Sequence, residues 1–257
     1  MNTGTAQSEF LVSIITPAFR CAGVVGETIQ SVLDQTHAHW ELLIAEDCSP
    51  DNSAAIIEQW CRLDKRIRLI RMPTNGGPAL ARNAAIEAAS GRWLAFLDSD
   101  DLWLPDKLEH SLRFASEHGA AFIFTGFRRM AAGGDRIGHY IRPPRTLTYR
   151  QLLGNTAIAT STVMLDRWAV GQVAMRNTYY DDFDCWLRIL KAGHIAYGLD
   201  EDLMRYRVMA QSVSRGKHRS ALMVWRSYRE LEQMSLPMAA WYFSQYAVRG
   251  MLKYSRL

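Results

Sequence analysis

The stretch Trp93-Leu94-Ala95-Phe96-Leu97-Asp98-Ser99-Asp100-Asp101 runs five apolar residues straight into three carboxylates. The apolar part reads as a buried β-strand, so the acids emerge at its carboxyl end. In open α/β sheets that end is where ligands bind. Carboxylates crowded this closely repel one another unless a cation or a donor-rich ligand lies among them. A metal-bound diphosphate satisfies that requirement.

Outward from this strand, elements alternate in type. Upstream, Leu11–Thr16, Trp40–Glu46 and Ile67–Arg71 read as strands. Helices are expected over Glu27–Leu33, from an Asn52 cap to about Leu63, and over Pro78–Ala89, which proline opens. Downstream, Pro105–His118 reads as a helix and Ala121–Thr125 as a fifth strand. Such alternation predicts a parallel sheet with helices on both faces. Beyond Arg128 the rhythm breaks: Gly133-Gly134 and Pro143-Pro144 bracket an irregular stretch rich in arginine. Ser161–Leu165 and Ile195–Leu199 are expected strands, Asp181–Ala192 a helix, and the tail is helical with a break at Pro237. The predicted organisation is a catalytic domain over residues 1–220, with a nucleotide-binding half at about 11–125 and an acceptor-binding half at about 126–220. A C-terminal helical extension follows at 221–257.

Three acidic sites fall where elements meet: Glu46-Asp47, Asp98–Asp101 and Asp181-Asp182. Each alone suits a turn or a helix cap; together they would face one crevice. With their surroundings they resemble the family 2 glycosyltransferases of GT-A fold. Val12-Ser13-Ile14-Ile15-Thr16-Pro17-Ala18-Phe19 is similar to that family's opening strand, and Leu43–Asp51 to its nucleotide-binding turn. Asn75-Gly76-Gly77-Pro78-Ala79-Leu80-Ala81-Arg82-Asn83 resembles its glycine-to-Ala-Arg-Asn segment. Asp98-Ser99-Asp100-Asp101 resembles its D-x-D motif, and Asp181-Asp182 with Trp186-Leu187-Arg188 its acceptor-side motif. The pieces stand in the family's order across about residues 11 to 215.

The resemblance implies an α/β fold of GT-A type, with a mostly parallel central sheet and helices on both faces. It implies a nucleotide-diphosphate sugar donor, a UDP-sugar first among them, bound by Thr16, Pro17, Ala18, Glu46, Asp47, Gly76, Arg82, Asp98 and Ser99. Asp100 would hold a divalent cation, Mn²⁺ or Mg²⁺, whose preference for hard oxygen ligands fits a carboxylate and phosphates. Asp182 would take the acceptor proton in an inverting transfer, with Asp184 as the alternative. Arg207, in Met204-Arg205-Tyr206-Arg207-Val208 with Ser212 and Ser214 behind it, would approach the phosphates. Glu46 stands where the family usually has aspartate, and Asp181 where it usually has glutamate. Cys48 stands where glycine is frequent and reads as a small buried side chain. The implied acceptor is a saccharide or lipid-linked saccharide in surface polysaccharide synthesis. Met164 holds the position of the glutamine in the Q-x-x-R-W motif of processive synthases, so one sugar per encounter is expected. A sugar nucleotidyltransferase and a catalytically idle nucleotide-sugar-binding module remain as alternatives.

Composition sets the outer bounds. The chain has 257 residues, 48% hydrophobic and 22% charged, as in an ordinary globular protein. A net charge of +4 without a run of lysine or arginine points away from nucleic acid. Cys21, Cys48, Cys61 and Cys185 form no C-x-x-C pair and read as reduced thiols. His37, His39, His139, His194 and His218 form no i, i+4 ligand pair, which argues against zinc. No signal-peptide pattern opens the chain and no segment reaches the ~20 apolar residues of a membrane span. The expectation is a cytoplasmic protein, at most peripheral to the inner face of the membrane. Arg249, Lys253 and Arg256 make a basic stripe near Trp241, Tyr242, Phe243 and Tyr246. That helix could pack on its own domain, meet a membrane or join a second copy.

Overall fold

The run at Val12 forms β1 (Val12–Ala18), and α1 (Val25–Leu33) returns the chain to β2 (Trp40–Glu46). In the computed structural model, which describes residues 10–209 and 217–254, this alternation continues. Next come α2 (Ser53–Leu63), β3 (Ile67–Arg71), α3 (Pro78–Glu87) and β4 (Trp93–Phe96). Beyond the acidic cluster lie β5 (Leu102–Trp103), α4 (Lys107–His118), β6 (Phe122–Ala131), β7 (Ile137–Ile141) and β8 (Thr146–Leu147). The chain continues through α5 (Tyr149–Leu153), a 3₁₀ turn at Thr160–Thr162, β9 (Met164–Asp166), α6 (Arg167–Val170), α7 (Asp181–Lys191) and β10 (Ala196–Val208). Two tail helices, α8 (Lys217–Arg226) and α9 (Leu236–Tyr254), flank a π turn at Ser227–Leu231.

The strands form one sheet in the order β3-β2-β1-β4-β9-β6-β10-β5, with β7 beside β6 and β8 beside β10. β1, β2, β3 and β4 are parallel, as buried strands joined by helical crossovers must be. β9 runs against both β4 and β6, while β6 and β10 are again parallel. Alternation along each strand supplies both cores. Ile14, Leu42 and Ile44 face the side covered by α1, α2 and α4, with Ile29, Ile57 and Leu108 packed on them. Ile15, Leu43 and Phe96 face the other side, where α3 and α7 contribute Ala81, Ala85, Phe183 and Trp186. Trp186 lies edge-on to Phe96 at 5.2 Å and to Phe122 at 5.5 Å.

Local chemistry sets the element ends. Gly77, at φ +83°, precedes Pro78 at the first turn of α3, where a missing N–H costs nothing. Gly119 ends α4 in the left-handed region.

The second half departs from the expected elements. The expected strand at Ser161–Leu165 is instead the 3₁₀ turn followed by β9. The irregular stretch after Arg128 is a hairpin of β6 and β7, and β7 is short and largely exposed, so its sequence carries no clear period. β10 extends well past Leu199 to Val208, with two register shifts against β6. The tail is interrupted over residues 232–235, and Pro237 lies just past that break in the first turn of α9. Ser212, Ser214 and Arg256 lie outside the described residues.

Candidate functional site

The parallel register aligns three strand ends. Ala18 pairs with Glu46 across β1 and β2, and Ile15 with Phe96 across β1 and β4. Thr16, Pro17, Ala18, Glu46, Asp47 and Asp98–Asp101 therefore lie along one carboxyl edge of the sheet.

Asp47 is buried, and its carboxylate accepts the backbone N–H groups of Gly76 and Gly77, each at 2.8 Å. Its carbonyl accepts from Asn75 Nδ2 at 2.8 Å. The glycine segment is thus fastened to the end of β2. Glu46 turns inward and accepts the Ser49 N–H at 2.6 Å, bracing the turn. Cys48 corrects an expectation: it is exposed, not buried, and its φ of +56° accounts for a position that favours glycine. Thr16 is buried with its hydroxyl unpartnered, an orphaned polar atom facing the same strand edge.

Arg82, one turn into α3, joins two parts of the sequence. Its guanidinium donates to Asp98 Oδ1 at 2.7 Å and to Asp181 Oδ2 at 2.8 Å, 99 residues away. The side chain is 7% exposed, and Asp98 and Asp181 hold its proton more tightly than in a free arginine. The D-x-D segment and the acidic start of α7 are therefore neighbours.

Asp98–Asp101 is a turn closed by the Asp101 N–H on the Asp98 carbonyl at 3.1 Å, not an extended continuation of β4. Ser99 is buried, and its carbonyl accepts from the Thr28 hydroxyl at 3.0 Å. Asp101 is buried behind the turn, taking the Ser161 hydroxyl at 2.5 Å and the Arg207 N–H at 2.9 Å. Burial first, then Asp100 and Asp98, push its pKa well above the usual carboxylate range. Burial and the neighbouring Asp98 push Asp100 up to about 6. Arg207 nearby opposes that rise without cancelling it. Among the described residues no three acids, histidines or cysteines form a metal cage. One carboxylate with open coordination suits Mg²⁺ or Mn²⁺, which are commonly shared between one or two acids and a substrate's phosphates. The residues fit such an ion.

Arg207 corrects another expectation. Only 1% exposed, it donates to the Asp100 carbonyl at 2.8 Å, the Ala132 carbonyl at 2.8 Å and Glu27 Oε2 at 2.6 Å. Its donors face protein, so it braces the acidic turn instead of approaching a phosphate.

At the start of α7, Asp182 accepts the Thr160 hydroxyl at 2.5 Å and the Phe183 N–H at 2.7 Å. Burial and Asp181 push it up to about 6 against the opposing pull of Arg82 and these hydrogen bonds. It lines a shallow recess with Leu152, Thr156, Ile158, Tyr180, Phe183 and Trp186. Asp184, the alternative base, is 2% exposed and ion-paired with Arg188 at 2.9 Å and Arg176 at 3.6 Å, which removes it from that role. The sequence reading missed Thr160 and Ser161. Three consecutive hydroxyls, Thr160-Ser161-Thr162, were the available signal. It was obscured because the segment resembles the start of a strand.

Known proteins resemble this chain in both sequence and fold. The sequence profile described as "Glycosyl transferase family 2" matches residues 13–169. The chain is 44% identical over 244 residues to TuaG of Bacillus subtilis, provisionally named a teichuronic acid biosynthesis glycosyltransferase, covering 95% of this chain and 97% of that one. It is 32% identical to WfgD of Escherichia coli, a UDP-Glc:α-D-GlcNAc-diphosphoundecaprenol β-1,3-glucosyltransferase, over 96% of both. Among solved structures, the mannosyltransferase PcManGT of Pyrobaculum calidifontis, in complex with GDP-Man and Mn²⁺, aligns with a TM-score of 0.68 at 14% identity. That alignment covers 92% of this chain and 73% of PcManGT. S. aureus TarS 1-349 in complex with UDP-GlcNAc aligns at 0.67 with 16% identity, over 92% and 71%. A profile match over more than half of the chain, joined to 44% identity across nearly all of it, makes this chain a glycosyltransferase of GT-A fold belonging to glycosyl transferase family 2.

Proposed function

We propose that the chain moves one sugar, with inversion, from a nucleotide-diphosphate donor to a saccharide on a lipid carrier, in the synthesis of a surface polysaccharide. The observation that carries this reading is the Arg82 bridge, which joins the acid of the strand-end turn to the helix of the candidate base. Donor and acceptor chemistry need one shared crevice, and that bridge supports one.

Thr16, Pro17, Ala18, Glu46, Asp47, Gly76, Arg82, Asp98 and Ser99 form the donor side. Asp47 holds the glycine segment while each of its oxygens retains a lone pair for the imide N–H of a base. The unpartnered Thr16 hydroxyl supports a polar ligand at the same edge. Asp100 would hold a divalent cation, which supplies charge neutralisation for the departing diphosphate when bound. Asp182 receives the acceptor proton as the acceptor oxygen forms its bond to the anomeric carbon and the phosphate oxygen leaves. TuaG and WfgD, named for teichuronic acid and for a diphosphoundecaprenol-linked acceptor, support the acceptor class. No helix among the described residues is long and apolar enough to cross a membrane. We place a peripheral contact with the inner face of the membrane on α9, where Leu236, Met238 and Trp241 are exposed.

The test is turnover of UDP-glucose, UDP-GlcNAc and GDP-mannose by the full chain with Mn²⁺ and a GlcNAc-diphospho-lipid acceptor. Acceptor-dependent release of nucleoside diphosphate is expected with one donor. Asp100→Ala should abolish the Mn²⁺ requirement together with most turnover. Asp182→Asn should lower kcat by roughly 10²–10⁴-fold. Full activity in either variant would overturn the role given to that residue.

A further inference from the structure

The 3₁₀ turn Thr160–Thr162 presents three consecutive hydroxyls, and each is used differently. Thr162 Oγ1 donates within its own turn, to the Ala159 carbonyl at 2.6 Å. Ser161 Oγ accepts the Asp98 N–H at 3.0 Å and donates to Asp101, on the donor side. Thr160 turns to α7 and donates to Asp182 Oδ2 across 22 residues of sequence. One short turn therefore touches both acidic sites. Thr160 is itself buried, so solvent does not compete for this hydroxyl.

Resting on the reading of Asp182 as the base, we propose that Thr160 is its positioning residue, the hydroxyl fixing the carboxylate in one orientation and favouring its ionised form. A carboxylate at the edge of an apolar recess is driven toward protonation by desolvation. A base must be ionised before the acceptor arrives, and a hydrogen bond donated to the charged form opposes that drive. The Phe183 N–H supports Oδ1 at 2.7 Å, but that donor belongs to the backbone of the same helix and is present whatever the side chains are. Thr160 is the side chain that adds a donor from another element.

The other groups facing Asp182 leave this contribution readable. Asp181 on its own helix is held by Arg82, which reaches in from α3. Tyr180 precedes it and interacts in turn with Tyr246 of α9, Tyr206 of β10 and Tyr228 of the π turn. Cys185 follows one turn along. Burial holds Tyr180 well above its ordinary value and pushes Cys185 up to about 12, so neither titrates with the carboxylate.

The experiment is a ¹³C NMR titration of the full chain labelled at aspartate Cγ, with the Asp182 resonance assigned by its loss in Asp182→Asn. Thr160→Val keeps the shape and removes the donor, and should raise the Asp182 midpoint by about one pH unit. The acidic limb of kcat/KM for the donor found above should move with it, while donor KM stays constant. Thr160→Ser should restore both, and Thr160→Ala offers a second hydroxyl-free variant if valine does not fold. An unmoved midpoint in a folded hydroxyl-free variant, beside an inactive Asp182→Asn, overturns the Thr160 assignment alone. An Asp182→Asn enzyme that still transfers sugar removes the base itself, and the role of Thr160 with it.

Discussion

Arg82 shows how much one side chain decides at the residue scale. Lysine offers one point of charge, whereas the guanidinium fork reaches Asp98 and Asp181 together and sets their spacing. Lys107 is a further buried cation, besides Arg82 and Arg207. It is fully buried, with Nζ 3.3 Å from the Thr162 carbonyl and 4.9 Å from the Trp103 ring centre. Burial pushes it down to about 7 from the ordinary lysine value of 10.5. The folded form therefore binds a proton less readily than the unfolded chain. The cost of burying that charge is fully present below about pH 7 and fades as the pH rises toward 10.5. The expected outcome is that urea midpoints of the wild type rise from pH 7 to pH 9. In Lys107→Met that component should vanish and the pH 7 midpoint should be higher. A flat wild-type profile would mean that Nζ reaches solvent.

Among elements, the turns and edges differ from the central strands in what they reveal. β1, β2 and β4 are buried on both faces, so their apolar runs were legible. β5 has two residues, and β7 has five, largely exposed and mixed in character, so neither carries a period long enough to read. Arg207 stands on the far end of β10, which reads as a loop until its pairing with β6 is known. α9 is where an element-scale prediction belongs. From Gln233 to Leu257 the sequence contains no Asp or Glu but has Arg249, Lys253 and Arg256. Leu236, Met238, Trp241 and Val248 are exposed along the helix, Trp241 at 65%, while Tyr242, Phe243 and Tyr246 pack against the core. Interfacial helices combine such a basic end with an exposed aromatic and aliphatic face. The full chain should float with vesicles of phosphatidylglycerol and phosphatidylethanolamine and be released by high salt. Trp241→Ala with Met238→Ala should weaken flotation without changing turnover of a short soluble acceptor. Equal binding to neutral vesicles would argue against an electrostatic component.

For the whole molecule, the proposed site joins three strand ends, the glycine segment before α3 and the start of α7. A ligand that binds only the assembled crevice stabilises the fold by mass action. UDP with Mn²⁺ should therefore raise the melting temperature more than either alone, by several degrees at about a hundredfold excess over Kd. Asp100→Ala should lose the Mn²⁺ increment and keep part of the UDP increment. An unchanged increment in that variant would move the ion to other ligands. Assembly of this kind cannot be read locally. Asp47 and Asp98 were recognisable from position, but their partners, Gly76, Gly77, Ser161 and Arg82, come from other elements.

The sequence alone determined the alternating α/β frame, the carboxyl-end placement of its acids and the family resemblance, because buried strand runs and strand-end motifs are local patterns. Only the tertiary structure decided which acids remain open to a ligand. Asp184 and Asp101 are enclosed by burial, Arg207 is turned inward, and Asp182 is paired with Thr160. Those outcomes depend on contacts between residues far apart in the chain, and desolvation at each site follows from those contacts.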